Sequence, residues 1–295
     1  MISDLVTIAI PAYKSAYLRE AIDSALVQDY ENIELVIVND KSPYDIDSIV
    51  YSYDDSRIRY YVNENNLGKE SIVYNWNRCL DYAQGEFFVL LCDDDVLMPN
   101  FVSELLELAR KYPLCNVFHS RTKTIYLSGK YEESNEWNEY ETFEDYLPAY
   151  INGNRKHTIT EFLYRTEFIK SIRYIVYPVG FYSDDSTLIN LIKQGGVAST
   201  KMCLCFFRRS NEHISSSSKF SLEKIRAAVL FYTWLIEEFE DNISVDVMYK
   251  IKERIDYEMY TYYKGLNVWK RIKAFFIIPN MFWNMKKKVM NLLLC

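Results

Sequence analysis

The segment GEFFVLLCDDDVLMPNF, residues 85–101, joins an apolar run directly to three consecutive aspartates. The run at 87–92 has the length and composition of a buried β-strand. Burying carboxylates costs free energy unless cations or hydrogen-bond donors compensate, and adjacent like charges repel. Asp93, Asp94 and Asp95 therefore indicate either a cation-binding site at the end of the strand or a solvated acidic turn that caps the next helix.

Strand and helix patterns alternate on the N-terminal side of this segment. The predicted strands and helices cover, in chain order, residues 6–10, 15–28, 33–40, 57–64 and 71–84. This alternation is typical of an α/β fold with an open, mostly parallel sheet, which binds ligands where the carboxyl ends of its strands converge. Pro11, Ala12 and Tyr13 follow the first strand and Asp40 ends the second, so we expect them at the same sheet edge as the aspartates.

The C-terminal side of the segment has a less regular pattern. We predict a helix, a strand, a polar loop or insertion, a strand–turn–helix unit and a further strand, at residues 101–112, 115–127, 131–145, 160–196 and 197–211. A serine-rich loop follows at 212–220, and the pattern is helical from Ser221 almost to the end of the chain.

The composition, with 49% hydrophobic and 25% charged residues in 295, is that of a soluble globular protein. Six cysteines without a C-x-x-C pair and three histidines give no reason to expect a structural zinc site, and we expect reduced thiols in a cytoplasmic protein. The N-terminus lacks a signal-peptide pattern, and no apolar run reaches the roughly 18 residues of a membrane span.

Charge is distributed unevenly in a chain whose net charge is −7. No acidic residue follows Glu258, whereas seven lysines and arginines do, interleaved with aromatic residues such as Trp269 and Phe275. Segment 264–295 thus has the composition of a segment that lies on an anionic membrane, although packing on the acidic body or a dimer contact would also explain it. The acidic body gives no reason to expect nucleic-acid binding.

Roughly residues 4–215 resemble the family 2 glycosyltransferases, with four motifs in the family's order. VTIAIPAYK is similar to the opening V-x-I-x-I-P-x-Y-N, and IELVIVNDKS to the strand that ends in D-D-x-S. NNLGKESIVYNWNRCLDYAQGEFFVLLCDDDVLMP resembles the long block that ends in the D-x-D element, and YSDDSTLINLIKQGG stands where the family has its E-D pair. The resemblance implies a GT-A (Rossmann-like) catalytic domain at 1–218, with a nucleotide-sugar half at about 1–100, an acceptor half at about 101–218 and a helical C-terminal region at 219–295.

The same resemblance implies that the first half binds the base of a nucleotide-sugar. Asp40, which matches the second aspartate of D-D-x-S, would accept a hydrogen bond from the ring N–H of a pyrimidine. This favours a uridine diphosphate sugar as the donor, although thymine offers the same N–H. Pro11 and Ala12 would bring the backbone close to the base, and Tyr13 would stack on it or flank it.

The resemblance also implies a divalent cation, Mn²⁺ or Mg²⁺, that bridges the donor diphosphate to the protein. Asp94 matches the last aspartate of the D-x-D element and would contact the metal, while Asp93 would reach the ribose or help to hold the ion. Asp95 would also assist the metal, or cap the helix that begins near Pro99. Arg208 matches a basic position that can fold over the diphosphate.

Asp185 matches the general base of the family by its spacing to the following helix. It would take the proton of an acceptor hydroxyl as that oxygen attacks the anomeric carbon, in a single displacement that inverts configuration, while Asp184 orients its neighbour or contacts the acceptor. The expected acceptor is a glycan or lipid-linked glycan of cell-surface polysaccharide biosynthesis. Without the resemblance, both residues would be interpreted as an N-terminal helix cap.

Three positions depart from the family pattern. Cys92 replaces the first aspartate of D-x-D, Asn39 replaces that of D-D-x-S, and Leu191 stands in place of an arginine on the following helix. These departures leave open a different class of function, in which the protein is a catalytically silent partner subunit that binds a nucleotide-sugar.

Overall fold

The computed structural model describes residues 2–126, 128–209, 220–239, 242–264 and 266. The predicted serine-rich loop falls outside these residues except for Phe220, and segment 264–295 does so except for Lys264 and Leu266. Both interpretations therefore remain predictions. The helices of the described part include none with the length and hydropathy needed to cross a bilayer.

Within the described residues, ten strands form a single sheet. They are β1 (Ile2–Ala12), β2 (Ile33–Asn39), β3 (Ile58–Val62), β4 (Gly85–Leu90), β5 (Val96–Leu97), β6 (Val117–Tyr126), β7 (Tyr131–Glu133), β8 (Tyr140–Glu141), β9 (Phe162–Arg165) and β10 (Val197–Arg209). Their order is β3-β2-β1-β4-β9-β6-β10-β5, with β7 beside β6 and β8 beside β10. Four neighbouring pairs are parallel, namely β3–β2, β2–β1, β1–β4 and β6–β10. The shorter strands β5, β7, β8 and β9 pair antiparallel with their neighbours. The predicted α/β sheet is confirmed.

Helices cover both faces of this sheet. They are α1 (Leu18–Leu26), α2 (Ile46–Val50), α3 (Val73–Tyr82), α4 (Phe101–Lys111), α5 (Phe143–Ile151), α6 (Thr166–Ile172), α7 (Ser183–Lys193), α8 (Ser221–Phe239) and α9 (Val245–Lys264). Apolar residues of α1, α2 and α4 pack in one core and those of α3 and α5 to α9 in the other. Because both faces are covered, all seven residues of β2 are buried, and its residues 35–38 form an unbroken apolar run rather than an alternating one.

The register of the parallel strands brings three loops to one edge. Ala12 is paired with Asn39, and Ala9 with Leu90, so the residues that follow β1, β2 and β4 emerge side by side. The backbone N–H of Asp40 donates to the carbonyl of Ala12 at 3.0 Å, which extends this pairing beyond the strands. Residues 11–13, 39–40 and 92–95 are therefore neighbours, as the sequence predicts.

The polar segment 131–145, expected to be a loop or insertion, contains β7, β8 and the start of α5, so an irregular loop is the wrong description of it. Its strands have only three and two residues and are mostly exposed, so no alternation of apolar and polar residues identifies them. β7 pairs with β6 beyond the end of β9, and β8 pairs with the start of β10, where the strand edges would otherwise lack partners.

Helices α8 and α9 pack in the same core as α5 and α7. Phe231 of α8 stacks on Tyr182, with 4.4 Å between ring centroids and an angle of 4° between planes. Apolar residues of both helices belong to the same buried cluster as β4 and α7. Helix α8 is apolar around most of its circumference because it is enclosed by neighbours on several sides.

Candidate active site

A cavity of about 700 Å³ lies at the edge where these loops meet. Most residues predicted for the site line it, namely Pro11, Tyr13, Asp40, Asp93, Asp94, Asp95, Asp184 and Asp185. Ligand cavities typically have volumes of roughly 300–1,000 Å³. The cavity is therefore large enough for a ligand of nucleotide size, and it joins the aspartates after β4 to those at the start of α7.

Asp93 is fixed by the backbone that follows β1. Its Oδ2 accepts hydrogen bonds from the N–H groups of Tyr13 at 2.8 Å and Lys14 at 2.6 Å. Burial raises the pKa of Asp93 to about 6, against the opposing effect of the Lys14 ammonium. One oxygen of Asp93 is thus occupied in holding the β1 loop against the aspartate segment.

Asp95 is held deeper, under the cavity wall. Its Oδ2 accepts a hydrogen bond from the Thr160 hydroxyl at 2.7 Å and its Oδ1 from the N–H of Arg208 at 3.2 Å. Burial, followed by the neighbouring Asp94 charge, raises its pKa to about 8. Helix α4 begins at Phe101 after Asn100, so the expectation that Asp95 caps this helix is wrong. It instead links the turn before β9 and strand β10 to the aspartate segment.

Asp94 faces a cation that belongs to the protein. The Lys14 ammonium forms an ion pair with its carboxylate and lies 3.7 Å from Asp93 Oδ1. Burial lowers the pKa of Lys14, but Asp93 and Asp94 together outweigh burial and hold that pKa above its ordinary value. The carboxylate of Asp94 is therefore already in a position to bind positive charge.

The donor set around Asp94 fits a divalent cation in part. Asp94 offers hard carboxylate oxygen of the kind Mg²⁺ and Mn²⁺ prefer. Asp93 and Asp95 are less suited, because their carboxylates are engaged by backbone and hydroxyl donors. Asp94 is thus the protein ligand that the geometry favours, with the remaining positions left for other ligands.

Asp40 lies in a cradle of donors at the end of β2. Its Oδ1 accepts from Asn63 Nδ2 and from the N–H of Leu67, both at 2.8 Å, and its Oδ2 accepts from the N–H of Gly68 at 2.7 Å. Each carboxylate oxygen has two lone-pair positions. Oδ2 therefore keeps one acceptor position towards the cavity, while Tyr13 stands nearby with 39% of its surface exposed.

Ala12 and Arg208 stand outside the cavity wall. Ala12 is buried, and its carbonyl positions Asp40. The Arg208 guanidinium is directed towards α1, where Nη2 donates to Glu20 at 2.5 Å, and its Nε donates to the main-chain oxygen of Asp94 at 3.3 Å. A contact between Arg208 and a diphosphate stays a prediction.

Asp184 and Asp185 occupy the first turn of α7. Asp185 Oδ1 accepts a hydrogen bond from the Tyr150 hydroxyl at 2.7 Å and lies 3.6 Å from His157 Nε2. Burial and the adjacent Asp185 carboxylate raise the pKa of Asp184, which His157 opposes. The N-cap residue of α7, Tyr182, makes no side-chain cap hydrogen bond, and Asp184 and Asp185 both line the cavity.

The potential metal ligands of this second acidic pair also converge. In the described part of the chain, His157, Asp184 and Asp185 form a group whose ligand atoms all lie within 4.8 Å of one another, and residues 93–95 form no such group. An acidic pair beside a histidine also suits a general base and its positioning partner.

Helix α9 supports this part of the cavity from behind. Arg254 donates to the carbonyl of Tyr150 at 2.8 Å, and Glu258 accepts from the hydroxyl of Tyr182. Tyr182, shortly before the two aspartates, has a φ of 69°, a left-handed backbone conformation that residues other than glycine rarely adopt. The C-terminal helices therefore fix the start of α7.

Sequence reasoning missed three residues of the site: Lys14, Tyr150 and His157. Lys14 directly follows the predicted Tyr13 and stands where the V-x-I-x-I-P-x-Y-N pattern has asparagine, so the motif comparison contained a signal for it. Tyr150 and His157 come from residues 146–159, which lie between the predicted elements, where no periodicity or motif distinguishes them.

Comparison with known proteins agrees with this architecture. Residues 7–173 match the model of glycosyl transferase family 2. A Campylobacter jejuni protein, GalNAc(5)-diNAcBac-PP-undecaprenol beta-1,3-glucosyltransferase, is 26% identical over 88% of this chain and 83% of its own. An uncharacterized glycosyltransferase of Rickettsia typhi is 40% identical over 37% of this chain, and the match spans 33% of that relative, about a third of its length.

Solved structures agree on the fold. S. aureus TarS (residues 1–349) superposes with a TM-score of 0.65 at 16% identity, over 98% of this chain and 80% of that one. At this identity the likeness concerns the GT-A fold alone. Since the family model covers more than half of the residues, this chain belongs to glycosyl transferase family 2.

Proposed function

We propose that the protein is an inverting, metal-dependent glycosyltransferase that moves a sugar from a uridine diphosphate sugar to a hydroxyl of a glycan or lipid-linked glycan. One observation carries the proposal: the aspartates after β4 and the pair at the start of α7 face the same cavity. Family membership adds support. The crystal structure of TarS in complex with UDP-GlcNAc supports a UDP-sugar donor, and the name of the Campylobacter relative, which contains a lipid-linked glycan, supports such an acceptor.

The donor half of the cavity would hold the nucleotide. The free acceptor position on Asp40 Oδ2 suits the ring N–H of uracil, and Tyr13 offers an exposed ring beside it. Asp94 would hold Mn²⁺ or Mg²⁺, which when bound neutralises charge on the diphosphate leaving group. A mannosyltransferase of the same fold, from Pyrobaculum calidifontis, is described in complex with GDP-Man and Mn²⁺, at 11% identity and a TM-score of 0.59.

The acceptor half would supply the base. Burial and the neighbouring Asp185 carboxylate raise the pKa of Asp184. The Tyr150 hydroxyl donates a hydrogen bond to Asp185 Oδ1 at 2.7 Å and fixes that carboxylate. Asp185 would then remove the acceptor proton as the hydroxyl oxygen attacks the anomeric carbon and the bond to the diphosphate breaks.

The variant Asp185→Asn distinguishes the proposed enzyme from the alternative, a silent binding subunit. We expect turnover, measured as UDP release from a panel of UDP-sugars with a membrane lipid extract as acceptor, to fall by about 10²–10⁴-fold, the usual contribution of a general base. UDP affinity in calorimetry should stay unchanged, because Asp185 lies on the acceptor side. Asp184→Asn is the matched control and should lose less. A wild-type protein that binds UDP and turns over no donor would favour the silent subunit.

We further propose that segment 264–295 attaches the enzyme to the inner face of the cell membrane, which would place it beside a lipid-linked acceptor. The support is its excess of basic and aromatic residues and the undecaprenol in the name of the Campylobacter relative. Sedimentation with phosphatidylglycerol vesicles tests this. Binding should decrease when Lys286, Lys287 and Lys288 are changed to Gln, and equal binding to phosphatidylcholine vesicles would contradict it.

A further inference from the structure

Lys14 is the residue of the site whose role the proposed function does not yet explain. It lines the cavity, and 29% of its side chain is exposed. Its backbone N–H is fixed on Asp93 Oδ2, so the loop after β1 directs its side chain towards the aspartate segment. The ammonium pairs with Asp94, the same carboxylate that the geometry favours for a divalent cation.

A metal ion and the Lys14 ammonium cannot share this carboxylate at close range without strong repulsion. Two like charges a few ångströms apart interact by several kcal/mol at the effective dielectric constant of a protein surface, about 20. Arg208 also lies nearby, where it contacts the main-chain oxygen of Asp94 and the side chain of Glu20. Because the Lys14 ammonium is paired with the Asp94 carboxylate, a metal bound to that carboxylate must displace it.

We propose that Lys14 is a tethered cation that occupies the Asp94 carboxylate in the nucleotide-free protein and moves to the donor diphosphate when metal and nucleotide bind. This inference rests on the proposed function. The diphosphate provides the displaced ammonium with a new anionic partner, so the displacement is favourable only when both ligands are present. Metal and nucleotide consequently bind as a unit, and free metal binds weakly.

The charges within the cavity support this coupling. With metal and diphosphate bound, the ion and the Lys14 ammonium meet the negative charges of the diphosphate as well as those of Asp93 and Asp94. With metal alone, three positive charges meet only the carboxylates of Asp93 and Asp94, which already lie beside the ammonium. The nucleotide-free site is thus better filled by one ammonium than by an ammonium and a divalent ion.

The test measures Mn²⁺ binding directly, by the paramagnetic resonance signal of free Mn²⁺ at pH 7.5, with and without UDP. In the wild type we expect UDP to strengthen Mn²⁺ binding by tenfold or more. In Lys14→Met, Mn²⁺ should bind about tenfold more tightly without UDP, UDP should bind more weakly, and the coupling should largely disappear. Lys14→Arg keeps the charge and should retain the coupling, and Asp94→Asn should abolish Mn²⁺ binding.

Lys69→Met is the matched control. This lysine also lines the cavity, where its backbone N–H is bound to Asn66, and its removal takes away the same charge. It should leave nucleotide-free Mn²⁺ affinity unchanged. Circular dichroism of each variant establishes that it is folded.

Two results would overturn the inference. If Lys14→Met binds Mn²⁺ without UDP no better than the wild type, while the wild type shows UDP-dependent binding, Lys14 does not compete with the metal and the proposed donor site stands. If neither UDP nor Mn²⁺ binds under any condition, the proposed function fails and this inference with it.

Discussion

Arg254→Met should destabilise the protein and weaken turnover, although Arg254 lies on a helix of the C-terminal region. Its Nη1 donates to the carbonyl of Tyr150 at 2.8 Å and to that of Ile151 at 3.4 Å, the last residues of α5. Its Nε lies 3.6 Å from Glu258, which accepts hydrogen bonds from Tyr182 and, at 3.0 Å, from Tyr232. Methionine keeps the length of the side chain and removes these contacts.

The contacts of Arg254 set the size of the expected loss in unfolding free energy. At an effective dielectric constant of about 20, two unit charges 3.6 Å apart attract by about 4–5 kcal/mol. Arg254 is 29% exposed, so solvent screening and the cost of desolvating both groups reduce the net value. We expect Arg254→Met to lower the unfolding free energy by about 2–3 kcal/mol, because the variant leaves the carboxylate of Glu258 buried without its cation.

The loss should depend on pH in a defined direction. Burial raises the pKa of Glu258, which its tyrosine partners and Arg254 oppose, so removing Arg254 raises that pKa further. A raised pKa in the folded state means that stability is fully present at low pH and decreases as pH rises through that pKa. The difference in unfolding free energy between wild type and Arg254→Met should therefore be larger at pH 8 than at pH 5.

Urea unfolding of a double-mutant cycle with Glu258→Gln measures the pair. We expect a coupling energy of about 1.5–3 kcal/mol, with the double variant more stable than the sum of the single effects predicts. Arg226→Met, on the exposed side of α8, is the control and should change stability by less than about 0.5 kcal/mol. Turnover should fall with UDP affinity unchanged, because Tyr150 and Tyr182 hold the base. A coupling energy near zero, or a loss that is independent of pH, would refute this reasoning.

Three further predictions concern single residues of the cavity. Asp95→Asn keeps an acceptor for the N–H of Arg208 but removes the titrating carboxyl. Because the pKa of Asp95 is raised to about 8, the unfolding free energy of the wild type should fall by up to about 1.4 kcal/mol per pH unit as pH rises towards 8. Chemical denaturation of the variant should not show this slope. Asp40→Asn places an amide N–H against a backbone donor of the cradle, and should cost about 1–3 kcal/mol in stability and reduce UDP affinity in calorimetry. Gly180→Ala introduces a Cβ 2.8 Å from Ile72 Cγ1 at φ 74°, so its thermal midpoint should fall by several degrees, as a destabilisation of about 1–2 kcal/mol produces.

The N-terminal half of the sheet was predictable because each signal there is local. The apolar run at 87–92, the proline near the end of β1 and the aspartate that follows β2 are each recognised within a few residues, and parallel register brings them to one edge. The sequence did not indicate how the roles of the aspartates differ. The donors to Asp93 and Asp95 come from the loop after β1, the turn before β9 and strand β10, which are far away along the chain.

The acceptor half was harder to predict because its contacts join segments without strong patterns. Tyr150 and His157 reach Asp185 from α5 and the loop after it, and Arg254 reaches Tyr150 from about a hundred residues further on. None of these pairs has a spacing that a helix or strand would impose. Their partners could be found only once the fold had brought them together.

The contacts of α9 change what the C-terminal region means for the site. As a sequence, 219–295 looks separable, with helical periodicity and a basic end. In the structure, Glu258 accepts a hydrogen bond from the left-handed Tyr182 and Arg254 donates to the end of α5, so one partly buried ion pair of α9 contacts both elements that carry Asp185 and its hydroxyl partner. If segment 264–295 binds a membrane and Asp185 is the base, as proposed above, the helix that leads into the membrane-bound segment is also the helix that supports the base.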